Sequence, residues 1–459
     1  MSALPDTKSR TLRRSGAAGA TRTLVLGAGG TGLACVRHLL NRRDTVRVAD
    51  DRDAPPQAEL LRKLLPDGAL RLGVFESTLL DGMDRVVVSP GLPGDLPLLQ
   101  AARARGLPVL GELDLFVAEA RAPVVAVTGT NGKSTVTTLV AAMLHAGGLE
   151  ARAGGNLGPA ALSLLDTEGA DRLVLEVSSF QLEQTPRLPC LAAVVLNVSP
   201  DHLDRHGSID AYSAIKARVY AHAEHCVINL DDDRVARMCP AGADCIGFTM
   251  SAPGDGDYGL VEYEGGPWLA RGASPLVAAS ALRIHGRHNL ANALAALALC
   301  EAAGGDLESA VEALLAFRPL PHRCERVPSD DGLTWIDDSK GTNLAATVAA
   351  VCGMPGPLVL IAGGIAKESN FGPLAVALEG RARGVVLIGR DAPLLAAALE
   401  DRVPVQHAAG MDEAVTCARA IAQPGDTVIL SPACASFDQF SDYRARGRAF
   451  AAAVQGVPS

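Results

Sequence analysis

The stretch PVVAVTGTNGKST, from Pro123 to Thr135, decides the fold because an apolar strand runs directly into a glycine-rich turn. Helical spacing follows at 136–145, which completes a strand, turn and helix. Backbone N–H groups of such a turn cradle phosphates, Lys133 reaches the terminal phosphates, and the Ser134 hydroxyl can hold Mg²⁺. Val127 stands where the eight-residue phosphate-loop pattern has its first glycine, which predicts a shorter turn. A purely structural turn is the alternative, but a charged lysine between a glycine and two hydroxyls does not favour it.

The alternation of strand and helix continues in both directions from this turn. Before it, apolar runs predict strands at 22–26, 46–49, 86–89 and, less well because of Pro108, 107–110. After it, strands are predicted at 173–176, 193–197, 333–336, 358–362, 384–388 and 427–430. Residues 240–274 are either a β-rich insertion or long loops, and 291–303 are a buried helix. We therefore predict a flexible leader (1–21) followed by three domains (22–112, 113–319 and 320–459). We expect the three domains to have an α/β fold with mostly parallel sheets.

Composition excludes several classes of protein. The chain has 459 residues and a formal net charge of -9, which argues against general binding of nucleic acid. The sequence contains no run of about 18 apolar residues, so it predicts no membrane span. The ten cysteines include no C-x-x-C pair, so we expect reduced and mostly buried thiols. Likewise, no H-E-x-x-H pattern supports a zinc protease.

A second glycine turn, GAGGTG at Gly27–Gly32, lies between a predicted strand and helix, and Asp50 and Asp51 end the next strand. This context fits the dinucleotide fingerprint. Three interpretations remain open from the residues alone. The turn binds a diphosphate-containing ligand other than NAD, it binds NAD(P) or FAD, or it is a tight turn without a ligand.

Ordered blocks along the chain resemble the Mur ligases, which build the peptidoglycan stem peptide in the cytoplasm; folylpolyglutamate synthase is a more distant relative. The resemblance rests on TGTNGKST, GGNLG (154–158), LEVSSFQLE (175–183), LNVSPDHLDRH (196–206), YSAIKARVY (212–220), HNLANALAA (288–296), LPHRCE (320–325), DDSKGTN (337–343) and LSPACASFDQF (430–440). It implies a UDP-binding N-terminal domain of Rossmann-like fold, a central P-loop ATPase domain and a Rossmann-like C-terminal domain that binds glutamate.

The resemblance also implies an activity. SSFQLE and SPACASFDQF point to the members that use ATP, with two Mg²⁺ ions, to add D-glutamate to UDP-N-acetylmuramoyl-L-alanine through an acyl phosphate and a tetrahedral intermediate. We expect a cytoplasmic monomer. The alternatives are a related ligase that adds L-glutamate or another residue, a non-catalytic nucleotide-binding protein, and, from the first glycine turn alone, an NAD-dependent oxidoreductase.

By resemblance, site residues are assigned one by one. The expected catalytic residues are Lys133, Glu176, His202 and Lys216 (the last after carbamylation by CO₂), and the expected metal ligands are Ser134, Glu176, His202 and carbamylated Lys216. The expected ATP contacts are Gly129, Thr130, Asn131, Gly132, Lys133, Ser134, Thr135, Asn292, His322, Arg323 and Asp338. The expected contacts of the UDP substrate are Gly30, Thr31, Asp50, Asp51, Arg52, Asn156, Ser178 and His202.

The amino acid is expected to bind in the third domain. Its predicted contacts are Lys340, Thr342, Lys367, Ser436, Phe437 and Tyr443. The chain departs from the family pattern at Phe437 and Tyr443, where relatives have Leu and Phe, and this change keeps apolar bulk. It also has Ile365-Ala366 before Lys367 in place of Asp-Gly, which removes a carboxylate and a flexible glycine beside the lysine.

Overall fold

The structure is a computed structural model that describes residues 20–166, 169–284, 286–354 and 356–456. The predicted leader lies almost wholly outside the described residues. By its internal contacts the chain divides into two compact units, 1–112 and 113–459.

The first unit is a five-stranded parallel sheet of order β3-β2-β1-β4-β5, the strand order of a Rossmann-type half. Its elements are β1 (Arg22–Leu26), α1 (Gly30–Asn41), β2 (Thr45–Asp50), α2 (Ala58–Leu64), β3 (Leu70–Leu72), β4 (Arg85–Val88), α3 (Pro97–Ala104) and β5 (Val109–Leu110). Glycine is required at Gly32, because a Cβ there would lie 1.9 Å from the carbonyl oxygen of Gly27. The strand predicted at 107–110 begins only at Val109, because Pro108 lacks the N–H that a sheet needs.

The second unit contains two sheets. The larger has nine strands in the order β14-β13-β12-β11-β10-β9-β6-β8-β7 and is parallel except that β13 runs antiparallel to both β12 and β14. Its elements are α4 (Glu112–Glu119), β6 (Val124–Thr128), α5 (Lys133–Ala146), β7 (Ala151–Gly155), β8 (Arg172–Glu176), α6 (Ser179–Gln184), β9 (Cys190–Val195), α7 (Leu203–His206), α8 (Ile209–Ala217), β10 (Ala223–Asn229), α9 (Asp233–Ala236), β11 (Asp244–Phe248), β12 (Tyr258–Tyr263), β13 (Gly266–Arg271), β14 (Ser274–Ala278), α10 (Arg287–Ala302) and α11 (Leu307–Ala316). Residues 240–274, which the sequence left open between a β-rich insertion and long loops, therefore form a β-rich insertion.

The smaller sheet has six strands in the order β15-β16-β20-β17-β18-β19, parallel except for β15. Its elements are β15 (Glu325–Val327), β16 (Thr334–Asp337), α12 (Leu344–Gly353), β17 (Leu358–Gly363), α13 (Gly372–Leu378), β18 (Ala382–Ile388), α14 (Ala392–Leu399), β19 (Val405–His407), α15 (Met411–Ile421), β20 (Thr427–Leu430) and α16 (Tyr443–Gln455). The predicted α/β class with mostly parallel sheets is confirmed.

Small aliphatic residues form the core of the larger sheet. Helix α10 buries every residue from Ala293 to Cys300 completely, which confirms the predicted buried helix. It packs with α5 against the face formed by Val125 and Val127 of β6. Burial on both faces explains why β6 is a continuous apolar run rather than an alternating one. This packing fixes the start of α5, where the glycine turn ends.

The cysteines differ in one respect from the sequence prediction. Cys239 and Cys245 form a disulfide, so the expectation of reduced thiols throughout is wrong for this pair. A turn between them, closed by a hydrogen bond from Ala243 N–H to Pro240 O, brings the two sulfurs together without any C-x-x-C spacing. Of the remaining eight described cysteines, six are buried as expected. No helix among the described residues is long and apolar enough to cross a bilayer.

Candidate active site

A cavity of about 320 Å³ opens where strands of the two sheets of the second unit end. Loops after β6, β8 and β9 form one wall, and loops after β16 and β17 form the other. Ligand sites of parallel α/β sheets lie at this carboxyl edge. The lining residues that the sequence predicted are Thr130, Asn131, Gly132, Lys133, Ser134, Asn156, Glu176, Ser178, His202, Lys216, Arg323, Lys340, Thr342 and Lys367.

The glycine turn builds the phosphate end of this cavity. Gly132 has a φ of +85° and caps α5, and a Cβ there would lie 2.3 Å from Asn292 Oδ1. Lys133 Nζ donates to the carbonyl oxygens of Gly129 (3.0 Å) and Thr130 (2.8 Å). Burial lowers the pKa of Lys133. The free N–H groups at the start of α5 and this lysine together suit a polyphosphate.

Glu176 is the centre of a buried oxygen cluster. Its Oε2 accepts from Ser134 Oγ at 2.6 Å, and its Oε1 accepts from Asn156 Nδ2 at 2.6 Å. Arg323, from the smaller sheet's segment, donates from Nη2 to Ser134 Oγ at 2.6 Å. The carboxylate is 3% exposed and makes no ion pair among the described residues. A carboxylate and a hydroxyl oxygen side by side at a phosphate loop fit the ligand preference of Mg²⁺.

Lys216 and His202 are nitrogen groups that face the same cavity. Lys216 is 1% exposed, and its Nζ donates to Gly129 O at 2.8 Å and lies 4.5 Å from the centre of the Tyr212 ring. Burial, assisted by the charge of Lys133, lowers the pKa of Lys216 well below its usual value. Burial also lowers the pKa of His202, although Asp201 Oδ2 lies 3.6 Å from its Nε2. A neutral amine reacts with CO₂ and a neutral imidazole binds a metal.

A second cavity of about 210 Å³ adjoins the phosphate loop. Asn131, Gly132, Thr135, Asn292, Arg323, Asp338 and Lys340 contribute to its wall. Asp338 accepts from Ser431 Oγ at 2.7 Å, and burial raises the pKa of Asp338 to about 7. Burial and the charge of Arg323 lower the pKa of Lys340 to about 8. Apolar walls from Leu196 and Phe248 suit a nucleobase, and Asp338 suits a ribose hydroxyl.

The residues predicted for the amino acid are only partly brought together. Lys340, Thr342 and Lys367 line the larger cavity, and Lys367 Nζ lies 3.2 Å from Asp201 Oδ1. Ser436 is buried, Phe437 is 71% exposed, and the Tyr443 ring lies 4.2 Å from Lys340 Nζ. These last three residues line neither cavity.

The N-terminal unit carries the residues predicted for the UDP group. Asp50 Oδ2 accepts from Ala28 N–H at 2.6 Å, which ties the glycine turn to the end of β2. Burial would raise the pKa of Asp50, but hydrogen bonds from Arg52 and Ala28 hold it below its usual value. Gly30 and Thr31 begin α1, and space is open around the Gly30 α-carbon. Asp51 is exposed beside Arg52.

The sequence prediction missed several residues in the wall of the larger cavity, among them Asn343 and Asp201. Asn343 Nδ2 donates to Asn131 Oδ1 (3.2 Å) and to Asp201 Oδ2 (3.3 Å), so it joins the two walls of the cavity. Both residues stand inside the quoted blocks DDSKGTN and SPDHLD, which is the signal that could have found them. Two predicted ATP contacts, Gly129 and His322, line neither cavity. The Gly129 carbonyl oxygen accepts from Lys133 and Lys216, and His322 Nδ1 lies 2.6 Å from Asp337 Oδ2.

Fold and site together define an α/β nucleotide-binding protein with a phosphate loop and a magnesium-type carboxylate cluster. The sequence matches the family descriptions "Mur ligase MurD-like, N-terminal domain" at 21–111, "Mur ligase middle domain" at 127–300 and "Mur ligase, glutamate ligase domain" at 322–434. The chain belongs to the Mur ligase family.

Individual relatives are similar over nearly their whole length. The UDP-N-acetylmuramoylalanine–D-glutamate ligase of Nitrosococcus oceani is 49% identical over 442 residues, covering 96% of this chain and 98% of that protein. The enzyme of the same name from Marinobacter nauticus is 46% identical over 444 residues, covering 95% and 98%. Among solved structures, UDP-N-acetylmuramate-alanine ligase from Thermotoga maritima has a TM-score of 0.63 at 20% identity over 95% of this chain and 99% of that one. MurF ligase from Thermotoga maritima in complex with ADP has a TM-score of 0.61 at 17% identity over 95% and 96%. These two structures support the fold.

Proposed function

We propose that this chain is an ATP-dependent, ADP-forming ligase that adds D-glutamate to UDP-N-acetylmuramoyl-L-alanine in the synthesis of peptidoglycan precursors. The single observation that carries the chemistry is the cluster of Glu176, Ser134, Lys133 and Lys216 around one cavity. The single observation that carries the substrates is the similarity to D-glutamate ligases along nearly the whole chain.

The reaction has two bond-forming steps. A carboxylate oxygen of the alanyl group attacks the γ-phosphorus of ATP, and ADP leaves with the electrons of the broken P–O bond. The amine of D-glutamate then attacks the acyl carbon, gives a tetrahedral intermediate and loses a proton. The intermediate expels inorganic phosphate and leaves an amide. Both steps gather negative charge in the cavity, so the protein must supply fixed positive charge.

The residues of the cavity divide this work. Lys133 and Arg323 bind the phosphate oxygens and stabilise the charge that develops during transfer. Asp338 and Lys340 orient the nucleoside end, and Asn131, Thr135 and Asn292 shape its pocket. Lys367 and Thr342 bind a glutamate carboxylate, with Asp201 as the partner that Lys367 exchanges for substrate.

Two Mg²⁺ ions fit the residues present. Ser134 and Glu176 would hold one ion, and His202 with carbamylated Lys216 would hold the other. Magnesium supplies charge neutralisation of the phosphates and of the acyl oxygen. Lys216 supports this assignment because its amine is buried beside the phosphate loop, and burial lowers its pKa well below the usual value, which favours the neutral amine that reacts with CO₂.

In this proposal the three sequence segments bind different parts of the substrates. Residues 22–112 bind the UDP group through Gly30, Thr31, Asp50, Asp51 and Arg52. Residues 113–319 bind ATP and the alanyl end of the acceptor through Asn156, Ser178 and His202. Residues 320–459 bind glutamate, including through Ser436, Phe437 and Tyr443. We place the protein in the cytoplasm, because ATP and UDP-linked sugars are cytoplasmic metabolites, and we propose that it acts as a monomer.

The test is the mass of the product. Incubation with Mg²⁺, ATP, UDP-N-acetylmuramoyl-L-alanine and D-glutamate should give an acceptor heavier by one glutamyl residue, in proportion to the ADP formed. Lys133→Ala should abolish the product, whereas the matched surface variant Lys63→Ala, in α2 of the first unit, should not. ADP without a heavier acceptor would refute the proposal in favour of a nucleotide-binding protein that only hydrolyses ATP.

A further inference from the structure

The loop that carries Arg323 has an unusual backbone. His322 and Cys324, on either side of it, have φ angles of +62° and +51°, a region that residues with side chains seldom occupy. Such a conformation is strained and persists only where its surroundings hold it. Arg323 lines both cavities and donates to Ser134 Oγ at 2.6 Å. The loop conformation therefore determines where this guanidinium lies.

A buried carboxylate holds the loop in place. Asp337 ends β16, is 1% exposed, and its Oδ2 accepts from His322 Nδ1–H at 2.6 Å. Its Oδ1 accepts from Ser339 N–H at 2.9 Å. The carbonyl oxygen of His322 accepts from Lys340 N–H at 3.1 Å. The loop is thereby fastened to the strand end that also carries Asp338 and Lys340.

Hydrogen bonds account for these contacts without a metal ion. Potential ligand atoms of His322, Glu325 and Asp337 lie within 4.8 Å of one another. Each is already engaged, because Glu325 Oε2 accepts from His322 N–H at 2.9 Å and Asp337 accepts from His322 and Ser339. The three side chains therefore support the loop through hydrogen bonds.

Gly447 gives an independent indication that this contact is built into the fold. It lies inside helix α16, where glycine is less favourable than alanine. A Cβ at this position would lie 2.2 Å from His322 Nδ1 and 2.7 Å from Asp337 Oδ2. The helix therefore packs directly on the hydrogen bond between these two side chains, and only glycine leaves room for it.

We propose that Asp337 is a positioning residue for ATP: through His322 it fixes the 322–324 loop and so presents Arg323 to the phosphates. This inference rests on the ATP-binding part of the proposed function and not on the acceptor or the amino acid. It also gives His322 a role in holding the loop, which explains why its ring does not line the second cavity.

The test is a double-mutant cycle in nucleotide affinity. Titration calorimetry with AMP-PNP and Mg²⁺, without acceptor or glutamate, gives Kd for the wild type, Asp337→Ala, Arg323→Ala and the double variant. Each single variant should weaken binding by about tenfold or more, and the double variant should be within about twofold of Arg323→Ala. Additive losses, or unchanged affinity in a folded Asp337→Ala protein, would overturn the proposal.

Three further variants separate positioning from general destabilisation. Gly447→Ala should weaken the nucleotide like Asp337→Ala, and it replaces that variant in the cycle if Asp337→Ala does not fold. Asp337→Asn keeps an oxygen for Ser339 and an amide for the imidazole, so its Kd should stay within about threefold of the wild type. A loss equal to that of Asp337→Ala would contradict positioning by hydrogen bonds. Asp426→Asn, a buried carboxylate at the opposite end of the same sheet, should lower Tm but leave Kd unchanged.

Because these titrations need only a nucleotide, they remain informative if no glutamyl product is ever found. A missing product with an intact cycle rejects the ligase and keeps the positioning role. A glutamyl product with additive losses keeps the ligase and rejects the positioning role.

Discussion

The value of kcat/KM for ATP should follow a narrow bell-shaped pH profile. Two residues that line the second cavity, Asp338 and Lys340, determine this profile. Burial raises the pKa of Asp338 to about 7, so below that pH its carboxylate is protonated and becomes a weaker acceptor for the ribose hydroxyl that we propose it binds. Burial and Arg323 lower the pKa of Lys340 to about 8, so its charge is lost above that pH. The binding-competent form has an ionised Asp338 and a charged Lys340, and it dominates only between pH 7 and 8.

These two values determine the size of the effect. With both groups required, the competent fraction is about 0.6 at pH 7.5 and about 0.09 at both pH 6 and pH 9. The value of kcat/KM for ATP should therefore be about sevenfold lower at pH 6 and at pH 9 than at pH 7.5. An aspartate and a lysine with ordinary pKa values would give a flat profile over this range.

The measurement is initial-rate phosphate release at subsaturating ATP, with Mg²⁺ in excess and the other substrates saturating. Asp338→Asn should lower the plateau and remove the acid limb, and Lys340→Arg should remove the alkaline limb, because arginine stays charged. A flat wild-type profile, or limbs that survive in both variants, would refute the assignment of these pKa values to the nucleotide site.

Three other predictions concern the rest of the cavity. Glu176→Gln should lower kcat by about 10²–10³-fold at saturating Mg²⁺, because the carboxylate beside Ser134 loses its charge, and unchanged kcat would exclude it as a metal ligand. Lys216→Ala should lower kcat on the order of 10³-fold, and removal of dissolved CO₂ should slow the wild type; equal rates with and without CO₂ would argue against the carbamate. Lys367→Met should raise KM for D-glutamate by about 10–100-fold and leave KM for ATP unchanged, whereas a change in both constants would contradict its placement at the amino acid.

Much of the fold was predictable because its signals are local. Strand β6 and the turn after it lie within 13 consecutive residues, and burial on both faces makes central strands such as β6 and β17 continuous apolar runs. Most strands that the sequence did not reveal are short or lie at edges, such as β3 (Leu70–Leu72) and β19 (Val405–His407), and the exception is β10 (Ala223–Asn229), a seven-residue strand inside the larger sheet. Three residues carry too little periodicity to separate a strand from a loop.

The site divides along a similar line. Lys133, Ser134 and Glu176 stand in or beside recognisable turns, and the structure brings them to one cavity as the blocks implied. Asn343 and Asp337 were not predicted as functional because their roles depend on contacts with residues far away in sequence. Asn343 meets Asn131 212 positions earlier, and Asp337 acts on His322, which only a strand pairing brings near. Contacts between residues so far apart in the sequence follow from packing and not from any local sequence pattern.

The most direct test of the central claim is phosphate release from ATP with Mg²⁺ and UDP-N-acetylmuramoyl-L-alanine, comparing D-glutamate with L-glutamate. The account predicts release that requires D-glutamate, with one phosphate for each glutamyl group added. Release only with L-glutamate would contradict the assigned specificity while keeping the two-step mechanism, and Ile365-Ala366 beside Lys367 would be the first place to seek the reason. No release with either amino acid would contradict the account as a whole.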